Sequence, residues 1–362
     1  MKAVTELGTN RAGGDVALPP KTVLVTGGAG FIGSNFVRYL YRKYPQYRIV
    51  VLDALTYAGN LDNIPEDIRE SDRFEFVYGN VTNGAQVANV MSDANIVVHF
   101  AAESHVTRSI HDAAEFLATD VIGTAVLAGA ASRKNSSVER FIHISTSEVY
   151  GSCRGDRDLM DEEHPLEPCS PYASAKAGAD RIVYSYWKTY DLPAVIVRPF
   201  NNYGSRQHLE KCIARFATSA ILGERLTVHG GGLSSRDWLY VEDTCAALDS
   251  IMHAPSASVV GEVFNVATGK DTSVLTLAQK ILELAERPGD MIEFIGERPG
   301  QVEKHRGDPT KLHRLTGWVP TVDLDSGLAR TFEWYQENEA FWRPMLWMKK
   351  VKIRVGKSME WH

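Results

Sequence analysis

The sequence predicts a doubly wound α/β fold, a parallel sheet with a smaller C-terminal lobe, and three observations predict it. Short apolar runs alternate with helical patterns as far as about Pro199, a glycine-rich turn follows the first run, and after about Asn201 the rhythm loosens. The runs Thr22–Thr26, Arg48–Asp53, Phe74–Tyr78, Ile96–Ala101 and Phe141–Ser145 are apolar almost throughout. Such runs suit strands covered on both faces, where strict alternation gives way to continuous hydrophobicity. Helical patterns lie between them at Ile32–Tyr44, Gln86–Ser92 and Ala113–Lys134, and a sixth strand, Ala194–Pro199, follows a helix at Ala173–Tyr190. The βαβα order gives a parallel sheet with helices on both sides. Beyond it come the glycines Gly230, Gly231 and Gly232, a helix at Val241–His253, a strand at Val263–Ala267 and a helix at Leu275–Ala285. The expected organisation is a disordered leader (1–20), a first domain (21–200), a smaller lobe (201–340) free to interleave with it, and a C-terminal tail (341–362) whose last stretch, Met345–His362, reads as basic and solvated.

Composition narrows the class. The 362 residues, 44% of them hydrophobic, suffice for a large buried core. The formal net charge is −6 and no long basic run appears, which argues against a nucleic-acid partner. No uninterrupted apolar stretch approaches the roughly 18 residues needed to span a bilayer, so no membrane partner is expected. The leader lacks the apolar core of a secretion signal. Cys153, Cys169, Cys212 and Cys245 form no CxxC pair, so neither a metal site nor a disulfide framework is expected, and a reducing cytoplasm is the simplest location.

The first apolar run leads into Gly27-Gly28-Ala29-Gly30-Phe31-Ile32-Gly33 and then a helix. A turn of this kind lets backbone approach a pyrophosphate, while the helix N-terminus supplies N–H donors and partial positive charge. The second run ends at Asp53, about twenty residues past Gly33. A carboxylate there can accept from the adenine ribose hydroxyls and would repel a 2′-phosphate, so NAD is expected over NADP.

Tyr172 and Lys176 stand four apart at the start of a helical pattern, on one face. An ammonium beside a phenol favours the phenolate, which makes a general base for a hydroxyl proton during hydride transfer. With the glycine turn and the strand-end Thr146, this constellation resembles the extended short-chain dehydrogenase/reductases, a family with a Rossmann-like sheet. Within it the chain looks most like the nucleotide-sugar dehydratases, epimerases and decarboxylases. The likeness runs from about Lys21 to Asn338. It is carried by Gly27–Gly33, Leu52–Asn60, Phe100–Val106, Ser145–Gly151, Ser170–Lys176, Asn201–Gly204, Arg236–Val241 and Arg298-Pro299-Gly300. Over the whole chain the wording is nearest to dTDP-glucose 4,6-dehydratases.

The resemblance implies roles. Tyr172 would remove the C4 hydroxyl proton, Thr146 would hold the C4 oxygen, and Lys176 would bind the nicotinamide ribose. Gly27, Gly30, Phe31, Ile32, Gly33, Asp53, Asn80 and Ala101 would surround the cofactor. Ser104, His105, Asn202, Arg236 and Arg298 would meet the substrate, the arginines at its phosphates. The resemblance also implies a homodimer, paired through the helices Ala113–Lys134 and Ala173–Tyr190.

The chain departs from the dehydratases at one telling place. They carry Thr-Asp-Glu, where Asp protonates the departing C6 hydroxyl and Glu is the base at C5; here the order is Thr146-Ser147-Glu148. Serine is a poor acid near neutral pH. Thr107 also stands where Asp is usual, and Asn80 replaces an Asp at the cofactor adenine. Thr-Ser-Glu is the wording of the UDP-glucuronic acid decarboxylases, in which serine can donate to a C6 carboxylate that Asp would repel. Loss of CO2 from the 4-keto sugar would leave an enolate held by Tyr172 and Thr146, with Glu148 returning a proton to C5. UDP-xylose or a UDP-4-keto-pentose would result. Decarboxylation is therefore the first expectation and 4,6-dehydration of dTDP-glucose the second. C4 epimerisation is the third, and an NAD-sensing scaffold is the non-enzyme alternative.

Overall fold

The computed structural model describes residues 18–153, 159–297 and 302–349, and the backbone of Lys352–Val355 and Ser358–Trp361. Strands β1 (Thr22–Thr26), β2 (Arg48–Asp53), β3 (Phe74–Tyr78), β4 (Ile96–His99), β5 (Arg140–Ile144) and β6 (Ala194–Pro199) form most of one sheet. β7 (Asn201–Tyr203), β8 (Leu226–His229) and β9 (Ser235–Tyr240) belong to smaller sheets. β10 (Val263–Val266) returns to the large one, whose order is β10-β6-β5-β4-β1-β2-β3 with every pair parallel. β1 and β4, neighbours with opposite onward directions, create a crevice at their carboxyl ends, the place where such sheets bind ligands.

Period-two geometry explains the continuous apolar runs. Val23 and Val25 enter one core with Val51, Val98, Ile142 and Val197, under the helices Phe31–Lys43 and Val241–His253. Leu24 points the other way, into a second core with Leu52, Val97, Phe141, Leu127 and Val183, which lies beneath helices Thr124–Ala131 and Pro171–Tyr190. Both faces are covered, so no polar alternation survives.

The smaller lobe has its own core, built from Phe216, Leu226, Trp238, Leu277, Ile281 and Phe332. Its strands β11 (Asp271–Ser273), β12 (Ile292–Ile295) and β13 (Lys304–His305) pair with β9, β8 and β9. The lobes interleave, since β10 comes from the later part of the chain and pairs with β6.

Two expectations differ from the structure. The start of the stretch read as solvated is docked instead: just before it Trp342 is fully buried in the smaller lobe, its Nε1–H donating to the Tyr335 carbonyl at 2.6 Å, Met345 and Leu346 pack against the same core, and the buried Lys349 ion-pairs with Glu224 at 2.7 Å. Burial of the indole outweighs the basic composition that suggested solvent. Further on, Lys352–Val355 and Ser358–Trp361 pair as an antiparallel hairpin. Secondly, the helical stretch Ala114–Ala131 is long and apolar enough to cross a membrane by length and composition alone. Glu115 and Asp120 interrupt it, which hid it from a search for unbroken runs. Its Leu127, Ala128 and Ala131 fill the core under the sheet. The leader expectation falls mostly on residues 1–17, outside the described residues.

If the 341–349 segment belongs to the lobe's core, Trp342→Ala should cost about 3–5 kcal/mol, the usual range for removing a buried aromatic. Urea unfolding followed by fluorescence and circular dichroism measures it. A cost below about 1 kcal/mol would mean that the segment is peripheral.

Candidate active site

β1 ends at Thr26, and Gly27 turns the chain with φ +70°, a region that L side chains rarely adopt. A Cβ on Gly27 would stand 2.5 Å from the Ala101 backbone nitrogen, and one on Gly33 would stand 2.3 Å from the Gly27 oxygen. The helix Phe31–Lys43 starts from Gly30 with no side chain capping it and no acidic residue in its first turn. Its leading N–H groups and positive dipole end therefore face the crevice, a cradle fitted to a dinucleotide pyrophosphate. Asp53 closes β2 and is buried. Its Oδ2 accepts from the Ala29 N–H at 2.9 Å and its Oδ1 from the Leu55 N–H at 2.8 Å. Burial pushes its pKa up, against the pull of those two donors. Asn80 is exposed at the same end, and its side-chain oxygen accepts from Thr82.

A cavity of about 600 Å³ runs from this cradle across the carboxyl ends of the strands to the smaller lobe. Gly27, Gly30, Phe31, Ile32, Gly33, Asp53, Asn80 and Ala101 line one end. Thr146, Glu148, Tyr172 and Lys176 line the middle, and Ser104, His105, Asn202 and Arg236 lie towards the second lobe. One expected site residue is not on this wall, and another falls outside the described residues. Arg298 lies outside the described residues. Ser147 is buried behind the wall, with its Oγ 3.5 Å from His305 Nδ1.

Local structure explains the middle group. Thr146 caps the short 3-10 turn Ser147–Tyr150, its Oγ1 accepting from the Glu148 N–H at 3.2 Å. Within that turn Glu148 reaches the cavity while Ser147 points inward. Ser170 caps the helix Pro171–Tyr190, accepting from the Ala173 N–H at 3.2 Å, and Pro171 occupies its first position. Tyr172 thus sits in the first turn, hydrogen-bonded to Thr146, with Lys176 one turn later.

The electrostatics differ from the simple expectation. Lys176 Nζ donates to the Ile144 carbonyl at 2.7 Å. Burial, and then the negative charge of Asp120, push the Tyr172 phenol well above its ordinary range, while the bond with Thr146 pulls it back only in part. A lysine four residues away does not by itself yield a phenolate, because desolvation of the anion outweighs it. Burial likewise lowers Lys176, opposed by Asp120 and Asp180.

Several residues escaped the sequence reading. Asp120 is fully buried in the π-helical stretch Leu117–Gly123, its Oδ1 accepting from the Glu103 N–H at 2.9 Å, and burial raises its pKa to about 7. Its one visible signal was an acid inside an apolar helix. Glu210 accepts from the Tyr57 hydroxyl and Arg108 Nε, both at 3.1 Å, on the cavity wall. Burial would raise it, but His105, Lys211, His208 and Arg108 together hold it below the usual carboxylate range. The C-terminal segment adds Phe341, Met345 and Met348 to the wall. Asn202 lines the cavity, but its amide donates to the Phe200 carbonyl at 3.0 Å and accepts from the Thr244 hydroxyl at 2.5 Å. Among the described residues no cluster of three or more His, Cys, Asp or Glu is placed to hold a metal.

Comparison with known proteins extends this picture. The family model for GDP-mannose 4,6 dehydratase matches residues 24–331. Low-salt glycan biosynthesis protein Agl12 of Haloferax volcanii is 44% identical over 313 residues, 86% of this chain and 98% of that protein. A dTDP-glucose 4,6-dehydratase of Streptomyces niveus is 40% identical over 327 residues, 89% of this chain and 95% of its own length. The crystal structure of dTDP-glucose 4,6-dehydratase from Bacillus anthracis in complex with NAD superposes with a TM-score of 0.82 at 38% identity, covering 90% of this chain and 99% of that one. The Rossmann-like parallel sheet agrees with that likeness. This chain belongs to the GDP-mannose 4,6-dehydratase family, in the nucleotide-sugar dehydratase group of the extended short-chain dehydrogenase/reductases.

Proposed function

We propose that the protein is an NAD-dependent nucleotide-sugar 4,6-dehydratase with dTDP-glucose as its substrate. The observation that carries this reading is the Thr146–Tyr172–Lys176 group beside an uncapped glycine cradle, in a chain 40% identical to a dTDP-glucose 4,6-dehydratase. When bound, NAD supplies a hydride acceptor for C4 and a hydride donor for C6. The residues do the rest. Tyr172 takes the C4 hydroxyl proton as its phenolate, a form that the positive charge of a bound nicotinamide would favour against the burial that otherwise keeps the phenol protonated, while its partner Thr146 holds the oxygen. Lys176 holds the cofactor ribose and lends positive charge to the pocket. Glu148 takes the C5 proton, which the new ketone acidifies, and water leaves from C6.

Decarboxylation, the first expectation, loses ground on two counts. The dehydratase relatives favour the alternative. Moreover, decarboxylation calls for Ser147 to donate to a C6 carboxylate, yet its hydroxyl lies behind the wall toward His305. Decarboxylation stays as the second reading because Thr146-Ser147-Glu148 is its wording. Mass spectrometry separates the two. With dTDP-glucose the product should be lighter by one water, and UDP-glucuronate should release no CO2. The reverse pattern would restore the decarboxylase.

For the cofactor, Asp53 supports NAD over NADP by its carboxylate at the end of β2. Binding titrations should show a clear NAD preference that Asp53→Ala relaxes. Equal affinity of the unmodified protein for both cofactors would refute the assignment.

A homodimer is the proposed assembly. Leu117 and Ile122 on one candidate helix, and Tyr184 and Tyr190 on the other, are exposed apolar side chains. A two-fold axis would bury them against their own copies. Light scattering at micromolar concentration should report a dimer, and Leu117→Glu with Ile122→Glu should yield monomer. A monomeric unmodified protein would remove the proposal.

A further inference from the structure

We propose that His305 is a positioning residue for Glu148, the group that handles the protons at C5 and C6 after C4 oxidation on the dehydratase reading. The inference rests on the dehydratase reading and addresses what that reading leaves open, namely what holds Glu148 in place through its two protonation states when serine occupies the acid's place.

β13 runs parallel beside β9, with His305 opposite Arg236, and carries the imidazole under the turn Ser147–Tyr150. The ring is fully buried. Its Nε2 bonds to the Gly151 carbonyl, an acceptor, so Nε2 carries the hydrogen and the neutral ring presents a lone pair at Nδ1. Two groups face that lone pair: Ser147 Oγ at 3.5 Å and Glu148 Oε1 at 4.0 Å. Burial, helped by Arg236 and His164, lowers the His305 pKa against the opposing pull of Glu148 and the Gly151 carbonyl, so the ring is neutral near pH 7. One lone pair thus serves two alternative donors. With Glu148 ionised, the Ser147 hydroxyl donates to it. With Glu148 protonated, a small side-chain movement lets the carboxyl donate instead, which keeps it beside the cavity in one rotamer.

The proton count closes on Glu148. It takes the C5 proton; the C5–C6 double bond forms as the C6–O bond breaks, and Glu148 gives that proton to the leaving hydroxide, making water. Glu148 then takes a proton from solvent and delivers it to C5 as hydride returns to C6. Tyr172 releases the C4 hydroxyl proton to solvent. The sugar loses one water and the cofactor ends as it began.

The test uses two variants, because Gln places an amide nitrogen where Nε2 was and Asn places an oxygen where Nδ1 was. With dTDP-glucose in heavy water, His305→Gln keeps the Gly151 bond and loses the acceptor. Its kcat should fall by about tenfold or more, a small part of what a general acid–base contributes, with KM little changed. Reduced cofactor should accumulate, since C4 oxidation does not involve His305, and deuterium at C5 should appear late. His305→Asn should retain more activity than His305→Gln. A merely structural ring predicts the opposite order, and that order, or full activity in both, overturns the inference. If both variants fall alike, accumulated reduced cofactor supports it and failure of cofactor reduction overturns it. No dehydration by the unmodified enzyme overturns the dehydratase reading and this inference with it. Dehydration together with an unimpaired His305→Gln overturns this inference alone.

Discussion

The structure depends on a backbone contact that leaves no space for a side chain. Gly27 passes against Ala101 at the end of β4, and Gly33 passes against the Gly27 carbonyl. Only with both approaches this close can the helix Phe31–Lys43 begin inside the crevice between β1 and β4. The same turn reaches β2 through the Ala29 N–H bond to Asp53. One turn therefore sets the positions of the helix dipole, the ribose-end carboxylate and the floor of the cavity. The chemistry further along the crevice inherits its geometry from there.

Burial, more than proximity, sets the charge states in the middle of the cavity. Lys176 is enclosed near Asp120 and Asp180, and Asp180 is in turn paired with Arg198 at 2.8 Å. Enclosing such groups is costly unless they compensate one another. Here the two carboxylates support the ammonium while Asp120 opposes ionisation of Tyr172. The proton on Tyr172 is held by an enclosure that the sequence shows only as scattered residues.

What was legible in the sequence follows from the range of the signals. β1, β2 and β6 have the expected bounds because both faces of each are largely buried and the apolar run is the strand, and β3 keeps its expected bounds as an edge strand with Glu75 and Tyr78 exposed. The glycine cradle and the Tyr172–Lys176 pair were legible because their members lie within one turn of each other. β11 and β13, three and two residues long, are too short to show any period. His305 meets Ser147 across more than 150 residues of chain, and Asp120 meets Lys176 through two packed helices, so neither contact leaves a local trace. At Ser147 the residue was legible but its direction was not, since a 3-10 turn sends neighbours to opposite sides of a wall. Trp342 shows the same limit for the C-terminal segment, where a basic composition concealed one anchoring indole.

The return of β10 to the large sheet bears on how such a protein can be recombined. The smaller lobe looks like a detachable specificity module, yet the chain crosses from it back to β6 before finishing the lobe. Cutting once near residue 200 would strip β6 of its outer partner β10, leaving it paired only with β5, and expose a parallel edge ready to pair with other chains. A chimera that exchanges substrate preference therefore needs three junctions, one before β7 and one on each side of β10, if that strand is to stay with its sheet. Lobe exchange is for this architecture a grafting problem rather than a splicing one.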